Sequence, residues 1–310
     1  MSMARSLKGM LGSGRMTIAP GAYDCITARL VEQAGYAAVY MTGAGTSIAH
    51  GLPDYGLLTM TEMVANARRI TSTIAVPLIA DSDTGYGNEL NMYRTVQEYE
   101  RAGVAAIHVE DQVFPKKCGH LEDKELISLE DYVAKIRAAV AARQSSDFTI
   151  IARTDSRAGH GLDEAVRRAN AAIEAGAEMA FVEAPQTLAE VEAVPKLVKG
   201  PCLLNIVSGG KTRNVDFADA ERMGYAVAIL PSLLIRGIIE TCDDLLAETK
   251  RQGRTARPVQ RTGAGASAEA SGLQGPAATF ARFGAADWDQ RRTEFRVAVR
   301  PKTASRNAAE

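Results

Sequence analysis

Short β-rich apolar runs alternate with longer amphipathic stretches from Thr17 to Gln252. The runs at 17–19, 37–42, 77–81, 105–109, 149–153, 179–183, 202–207 and 225–230 read as strands. Between them, 89–102, 129–143 and 162–175 repeat their apolar positions at helical spacing. Gly35, Gly103, Gly176 and Gly224 each follow a helical stretch and shortly precede a strand. Glycine there supplies the left-handed cap that turns the chain back. Eight strand–helix units in series predict parallel pairing, because each helix provides the crossover that parallel strands need. A closed (β/α)8 TIM barrel accommodates eight such units; an open doubly wound sheet is the alternative, since periodicity does not reveal closure.

Beyond Gln252 the pattern changes. Residues 253–275 are rich in Gly, Ala, Ser, Thr and Arg and predict an extended connection. Residues 276–299 regain a helical pattern through Phe280, Phe283, Trp288 and Phe295. This additional C-terminal helical unit is expected to pack back on the barrel or, swapped between subunits, onto a neighbour. The expected division is a barrel over 1–252, the connection, the helical unit, and a disordered tail over 300–310.

With 46% hydrophobic and 24% charged residues and a net charge of −1, the composition gives no support for a nucleic-acid partner. No apolar run reaches membrane-span length, so no membrane partner is expected. Cys25, Cys118, Cys202 and Cys242 lack the spacing of a disulfide framework or zinc site, which points to a reducing, cytoplasmic setting. The acid-free first 23 residues leave a transit peptide as the minor alternative.

In parallel barrels chemistry collects at the C-terminal strand ends. That rule gathers Tyr40, Thr42, Gly43, Ala44, Asp54, Asp81, Asp83, Glu110, Asp111, Arg153, Asp155, Glu183 and Asn205 at one mouth. Asp81, Asp83, Glu110 and Asp54 are hard oxygen donors suited to Mg²⁺ or Mn²⁺. The competing reading is that Asp-x-Asp merely caps a turn. An EF-hand is excluded by Gly85 and Met92 at ligand positions. Ile48 breaks the dinucleotide fingerprint begun by Gly43 and Gly45, and Asn205 breaks a P-loop ending in Ser208-Gly-Gly-Lys-Thr212. The N–H groups after Thr42 could still grip a carboxylate or phosphate.

Cys118 differs from the other cysteines, which read as small buried hydrophobes. It lies in a polar loop beside Lys116, Lys117, Gly119 and His120. Nearby cations favour its thiolate and suit a thiol that must donate and recover a proton. His50 and His160 read as loop residues and His108 as a strand residue.

Lys-Lys-Cys-Gly-His at 116–120, Asp-Ser-Asp-Thr-Gly-Tyr-Gly at 81–87 and Pro-Gly-Ala-Tyr-Asp at 20–24 resemble the isocitrate lyase/phosphoenolpyruvate mutase superfamily. Gly-Leu-Pro-Asp-Tyr-Gly at 51–56 and Ala-Arg-Thr-Asp at 152–155 match as well, so the resemblance spans roughly 15 to 250. It implies a Mg²⁺-dependent barrel, commonly a homotetramer, acting on small α-oxo or α-hydroxy carboxylates. Asp83 would meet the metal, with Asp81, Asp54 and Glu110 holding its waters. Thr42, Gly43, Ala44 and Arg153 would bind the substrate carboxylate, although many relatives carry Ser-Gly-Gly at the first three positions. Glu183 and Asn205 would contact substrate or order the site. Cys118 would protonate the departing carbanion, assisted by Lys116, His120 and Arg153, with Tyr40 as candidate base.

Mutase and decarboxylase relatives generally lack this cysteine, so its presence favours carbon–carbon cleavage. Leu121-Glu122 stands where isocitrate and methylisocitrate lyases usually continue with Arg, which argues against a third substrate carboxylate. The expectation is a lyase for a substituted malate such as 2,3-dimethylmalate, or for 2-methylisocitrate. Alternatives are an oxaloacetate hydrolase, a phosphonate mutase and a non-catalytic carboxylate-binding protein.

Overall fold

A computed structural model describes residues 2–119, 124–207, 209–210, 215–256 and 276–297. Its strands are β1 (Thr17–Ala22), β2 (Val39–Met41), β3 (Leu78–Asp81), β4 (Ala106–Glu110), β5 (Thr149–Thr154), β6 (Met179–Val182), β7 (Cys202–Asn205) and β8 (Tyr225–Leu230). The helices are α1 (Met3–Leu11), α2 (Cys25–Gln33), α3 (Gly43–Ala49), α4 (Met60–Thr71), α5 (Glu89–Arg101), α6 (Leu129–Ala142), α7 (Arg157–Glu174), α8 (Leu188–Leu197), α9 (Phe217–Met223), α10 (Leu233–Gln252), α11 (Pro276–Arg282) and α12 (Ala285–Val297). All eight strands pair in parallel in chain order, and β8 closes on β1. The barrel, and not the open sheet, is the fold.

Strand alternation sorts the residues. Val39, Met41, Leu78, Ala80, Ile107 and Val109 face outward and pack with helical residues such as Met92, Val96 and Ile136. Tyr40, Ile79, Ala106, Ile151, Phe181, Leu203 and Ile229 form the interior cluster. Continuing the inward set by two residues along each strand brings Asp81, His108 and Glu110, Arg153, Glu183 and Asn205 to the mouth. Register then levels them: Asp81 stands beside His108, and Glu110 beside Arg153.

The glycine caps hold, with φ of 86° at Gly35, 85° at Gly103, 107° at Gly176 and 102° at Gly224. Helix starts are fixed by side chains: Asp24 with Thr27, and Thr59 with Glu62, form reciprocal capping boxes. α7 begins five residues before its predicted start and absorbs a break at Gly161, whose φ is 84°. α1 lies outside the predicted pattern. Its fully buried Leu7 joins the barrel-interior cluster, with Met3, Ala4 and Leu11 against it, and burial of a Leu contributes about 1.5–3 kcal/mol.

The chain divides into one unit over Met1–Cys242 and a second from Asp243 onward, a boundary inside α10. The second unit contains α11 and α12, where Arg291 stacks 5.6 Å above the Trp288 ring. Most of the predicted connection and all of the predicted tail lie outside the described residues. Cys202 is buried as expected, Cys25 is half-buried, and Cys242 is exposed, which corrects its reading as a buried hydrophobe. Among the described residues no helix is long and apolar enough to cross a membrane.

Candidate active site

One side of the barrel mouth is built from carboxylates. Asp81, at the end of β3, accepts the Gly43 N–H at Oδ2 (3.1 Å) and the Asp83 N–H at Oδ1 (3.0 Å). Asp83 adopts a left-handed φ of 46°, an uncommon backbone for a side-chain-bearing residue that persists only where its surroundings hold it. The surroundings include Tyr99, whose hydroxyl donates to the Asp81 carbonyl (2.9 Å), and buried Lys135, whose Nζ donates to the Thr84 carbonyl (3.1 Å). Lys116 Nζ stands between Asp54 Oδ1 (2.5 Å) and Asp83 Oδ1 (3.0 Å).

Burial raises the Asp83 carboxyl to about 6, against the pull of Lys116 and with help from Asp81 and Asp54. Burial likewise lifts Glu110 well above the ordinary carboxylate range, although Arg153 Nε lies 3.2 Å from its Oε2. Lys116 is the counterpart: burial disfavours its charge, but Asp83, Glu110 and Asp54 outweigh that and raise its pKa.

These residues fit a hard divalent cation. Among the described residues, Asp54, Asp81, Asp83, Glu110 and Asp155 gather around Lys116, Lys124 and Arg153, with neutral His108 beside Asp81, and the Lys116 ammonium already sits as a cation among them. Asp83 Oδ1, Thr84 Oγ1 and Glu110 Oε2 are buried without an aligned hydrogen bond. Among the described residues no three His, Cys, Asp or Glu side chains converge as a finished cage.

The loop carrying Cys118 forms the other side. Gln112 and Leu126 make an antiparallel bridge at its base, and the Val113 N–H donates to the Glu125 carbonyl (2.8 Å). The Gln112 amide donates to Glu110 Oε1 (3.0 Å) and to the Lys117 carbonyl (2.8 Å), tying the loop to β4. The half-buried Cys118 gives its N–H to the Asp54 carbonyl (3.1 Å). Gly119 lies so close to Arg153, Glu183 and Asp155 that an added Cβ would stand 2.7 Å from Glu183 Cγ. The structure therefore brings Cys118 to the mouth, as predicted. Lys116 is engaged by Asp54 and Asp83. His120 and Leu121 lie outside the described residues.

Arg153 crosses the floor between the two sides. Its guanidinium grips Asp155 through Nε (2.8 Å) and Nη2 (3.1 Å) and lies 5.1 Å above the Phe181 ring. Burial opposes its charge, but Asp155, Glu110 and Glu183 more than restore it. Asn205 Nδ2 lies within 3.3 Å of both Glu183 oxygens, and its Oδ1 is buried without an aligned partner. Thr42 caps α3 by accepting the Gly45 N–H (3.2 Å). The Gly43 N–H donates to Asp81, and Ala44 follows in the first turn of α3. A Cβ on Gly43 would stand 2.8 Å from Asp81 Cγ. Gly43→Ala is thus expected to push Asp81 aside at a cost of about 1–3 kcal/mol, read as a lower urea midpoint.

Tyr40 is buried, with its hydroxyl 2.8 Å from His108 Nε2 and 3.4 Å from Asp81 Oδ2. Burial, reinforced by Asp81, raises its pKa well above the ordinary value, so it stands as a phenol, which opposes its reading as base. Burial pushes His108 down to about 4, leaving it neutral near pH 7. His108 was missed as a site residue, yet it shares the inward strand face with Glu110, two positions on. Asp111, adjacent to Glu110, turns the other way and accepts from Thr154 (2.7 Å), the Asp155 N–H (2.8 Å) and Arg168 (3.1 Å). Gln112, Lys124 and Lys135 carried no sequence signal at all.

The phosphoenolpyruvate phosphomutase family model matches residues 7–250. The chain is 46% identical over 257 residues to the 2,3-dimethylmalate lyase of Eubacterium barkeri, covering 83% of this chain and 89% of that protein. It is 42% identical to a 2-methylisocitrate lyase of Aeropyrum pernix, covering 80% of each. Among solved structures, an oxaloacetate acetylhydrolase bound to 3,3-difluorooxalacetate superposes with a TM-score of 0.88 at 32% identity, over 95% of this chain and 97% of that one. A 2,3-dimethylmalate lyase superposes with a TM-score of 0.85 at 36% identity, over 100% and 99%. Matched along nearly its whole barrel in sequence and in fold, this chain belongs to the phosphoenolpyruvate mutase/isocitrate lyase superfamily of enzymes.

Proposed function

We propose that the protein is a Mg²⁺-dependent carbon–carbon lyase that splits a 2-hydroxy dicarboxylate such as 2,3-dimethylmalate into an oxo acid, pyruvate, and a second carboxylate. The observation that carries this reading is Cys118, held over a carboxylate cluster by its bond to Asp54 and by Gly119 against Arg153 and Glu183. Asp83 would hold Mg²⁺, with Asp81, Asp54 and Glu110 binding its waters; Mn²⁺ suits the same oxygens. When bound, the ion acidifies the substrate hydroxyl and polarises the carboxylate beside it.

Arg153 orients the substrate carboxylate, and the Glu183–Asn205 pair lines the same end. The hydroxyl proton passes to a carboxylate of the mouth, with Glu110, whose burial raises its proton affinity, placed to take it; the oxygen becomes the carbonyl of the oxo acid, and the bond to the neighbouring carbon breaks. That carbon keeps the electron pair, and the Cys118 thiol protonates it, which completes the second carboxylic acid. The loop keeps water from the reacting carbon. Leu121 in place of an arginine and the likeness to the Eubacterium barkeri enzyme favour a dicarboxylate. 2-Methylisocitrate is the tricarboxylate candidate. The assembly expected is a cytoplasmic homotetramer, its size readable by light scattering.

Oxaloacetate hydrolysis is the second reading, favoured by the superposition on oxaloacetate acetylhydrolase. Incubation with Mg²⁺ and each acid separates them. Pyruvate release from 2,3-dimethylmalate supports the lyase, whereas oxalate plus acetate from oxaloacetate supports the hydrolase. Chelation by EDTA is expected to abolish turnover, with Mg²⁺ restoring it; activity that survives chelation would sink the metal assignment.

A further inference from the structure

Lys124 lies beyond the Cys118 loop segment and belongs to no motif. Its side chain is nevertheless almost fully buried at the barrel mouth. Nζ donates to the Gly119 carbonyl (2.5 Å) and to Asp155 Oδ1 (2.8 Å). It thereby joins Gly119, the residue after Cys118, to the carboxylate that also grips Arg153. Other anchors of the described part of this segment act before Gly119, among them the Lys116 ammonium on Asp54 and Asp83, the Cys118 N–H on Asp54 and the Gln112 clamp on Lys117. Gly119 itself leaves no room for a Cβ beside Arg153 and Glu183, so its carbonyl direction is set by this close approach and by Lys124.

We propose that Lys124 is a positioning residue. By bridging the Gly119 carbonyl to Asp155 it fixes Gly119, the residue bonded to Cys118, and so sets the aim of the Cys118 sulfur over the substrate. An ammonium suits the task because both acceptors are buried and one is ionised; a charge-assisted hydrogen bond is about twice as strong as a neutral one. Lys124 touches no reacting atom, so its loss should alter placement more than substrate affinity. An error of about 1 Å in a reacting group costs on the order of 10²-fold in rate. This inference rests on the proposed role of Cys118, and its test includes a measurement independent of that role.

The experiment compares Lys124→Met and Lys124→Arg with the parent, all in a background carrying Cys25→Ala and Cys242→Ala. One measurement is the rate of Cys118 alkylation by iodoacetamide in the Mg²⁺-loaded enzyme, with and without oxalate. The other is kcat and KM for 2,3-dimethylmalate. Lys124→Met should alkylate about tenfold faster and lose its protection by oxalate. Its kcat should fall about 10²-fold, with KM changed by less than about threefold, and Lys124→Arg should recover much of both. Unchanged alkylation in Lys124→Met overturns the proposal whatever the activity does. An equal collapse of both variants on thermal unfolding also overturns it, because Lys124 would then be a folding residue. If Cys118→Ser keeps full activity while Lys124→Met still exposes the thiol, the positioning role stands and the lyase reading fails.

Discussion

Replacing Cys118 by serine should lower kcat about 10³-fold, within the range of a lost general acid and equivalent to about 4 kcal/mol of barrier. A serine hydroxyl occupies nearly the same space, and the Cys118 N–H would keep its bond to the Asp54 carbonyl, so the loop should remain in place. What changes is acidity: an alcohol gives up its proton far less readily than a thiol. Oxalate affinity should therefore stay within about threefold of the parent, because the proposed function assigns the anion to Arg153 and its neighbours. Steady-state kinetics on 2,3-dimethylmalate and calorimetric titration with oxalate supply the two readouts. A serine variant that turns over at the parent rate would remove Cys118 from the reaction and favour a carboxylate-binding role or a different acid. Carrying out the parent reaction in D₂O adds a positional check, since deuterium should appear on the carbon released from cleavage.

The barrel was legible because its cause is local. Eight apolar runs are short enough for strands, and glycines at left-handed positions mark where helices turn back, as Gly103 and Gly224 do. Much of the mouth was legible for a related reason: an inward-facing side chain at a C-terminal strand end points into the mouth, whereas Asp111, out of phase with Glu110, turns away. Which partner each side chain chooses was not legible, because that depends on separations of an ångström or two. Lys116, two residues before Cys118 in the chain, lies between Asp54 and Asp83, a pairing its sequence neighbours do not reveal. Tyr40 was expected as a base, but burial and Asp81 keep its proton on. His108 could have been found, since alternation puts it on the same face as Glu110. Lys124 could not, because nothing local ties it to Asp155, 31 residues later. α1 was missed for a similar reason: its short, mixed sequence shows its value only when Leu7 meets the barrel interior.

Arg153→Met should cost more than any other single change at the mouth, because the guanidinium ties the fold together and, on the proposed function, also binds substrate. In the folded chain it neutralises Asp155 through two hydrogen bonds and lies against Glu110. Removing one partner of a buried pair leaves a desolvated charge and typically costs about 3–5 kcal/mol. Lys124 still pairs with Asp155, and Glu110 can take up a proton, since burial already raises its pKa. The loss should therefore fall toward the lower end of that range, read as a reduced urea midpoint at unchanged slope. Substrate binding should suffer independently. A lost charge-assisted bond to a buried carboxylate costs about 2–5 kcal/mol, which predicts a rise in KM of at least about 30-fold. Arg153→Lys separates the two effects. A lysine keeps the charge, so stability should largely return, but it cannot reproduce the planar two-point grip on Asp155, and KM should remain elevated. If Arg153→Met binds substrate normally while losing stability, the guanidinium is purely structural, and the carboxylate must be held by Thr42 and the first turn of α3. If both variants raise KM but only the methionine loses stability, the two roles of Arg153 are separate and both real.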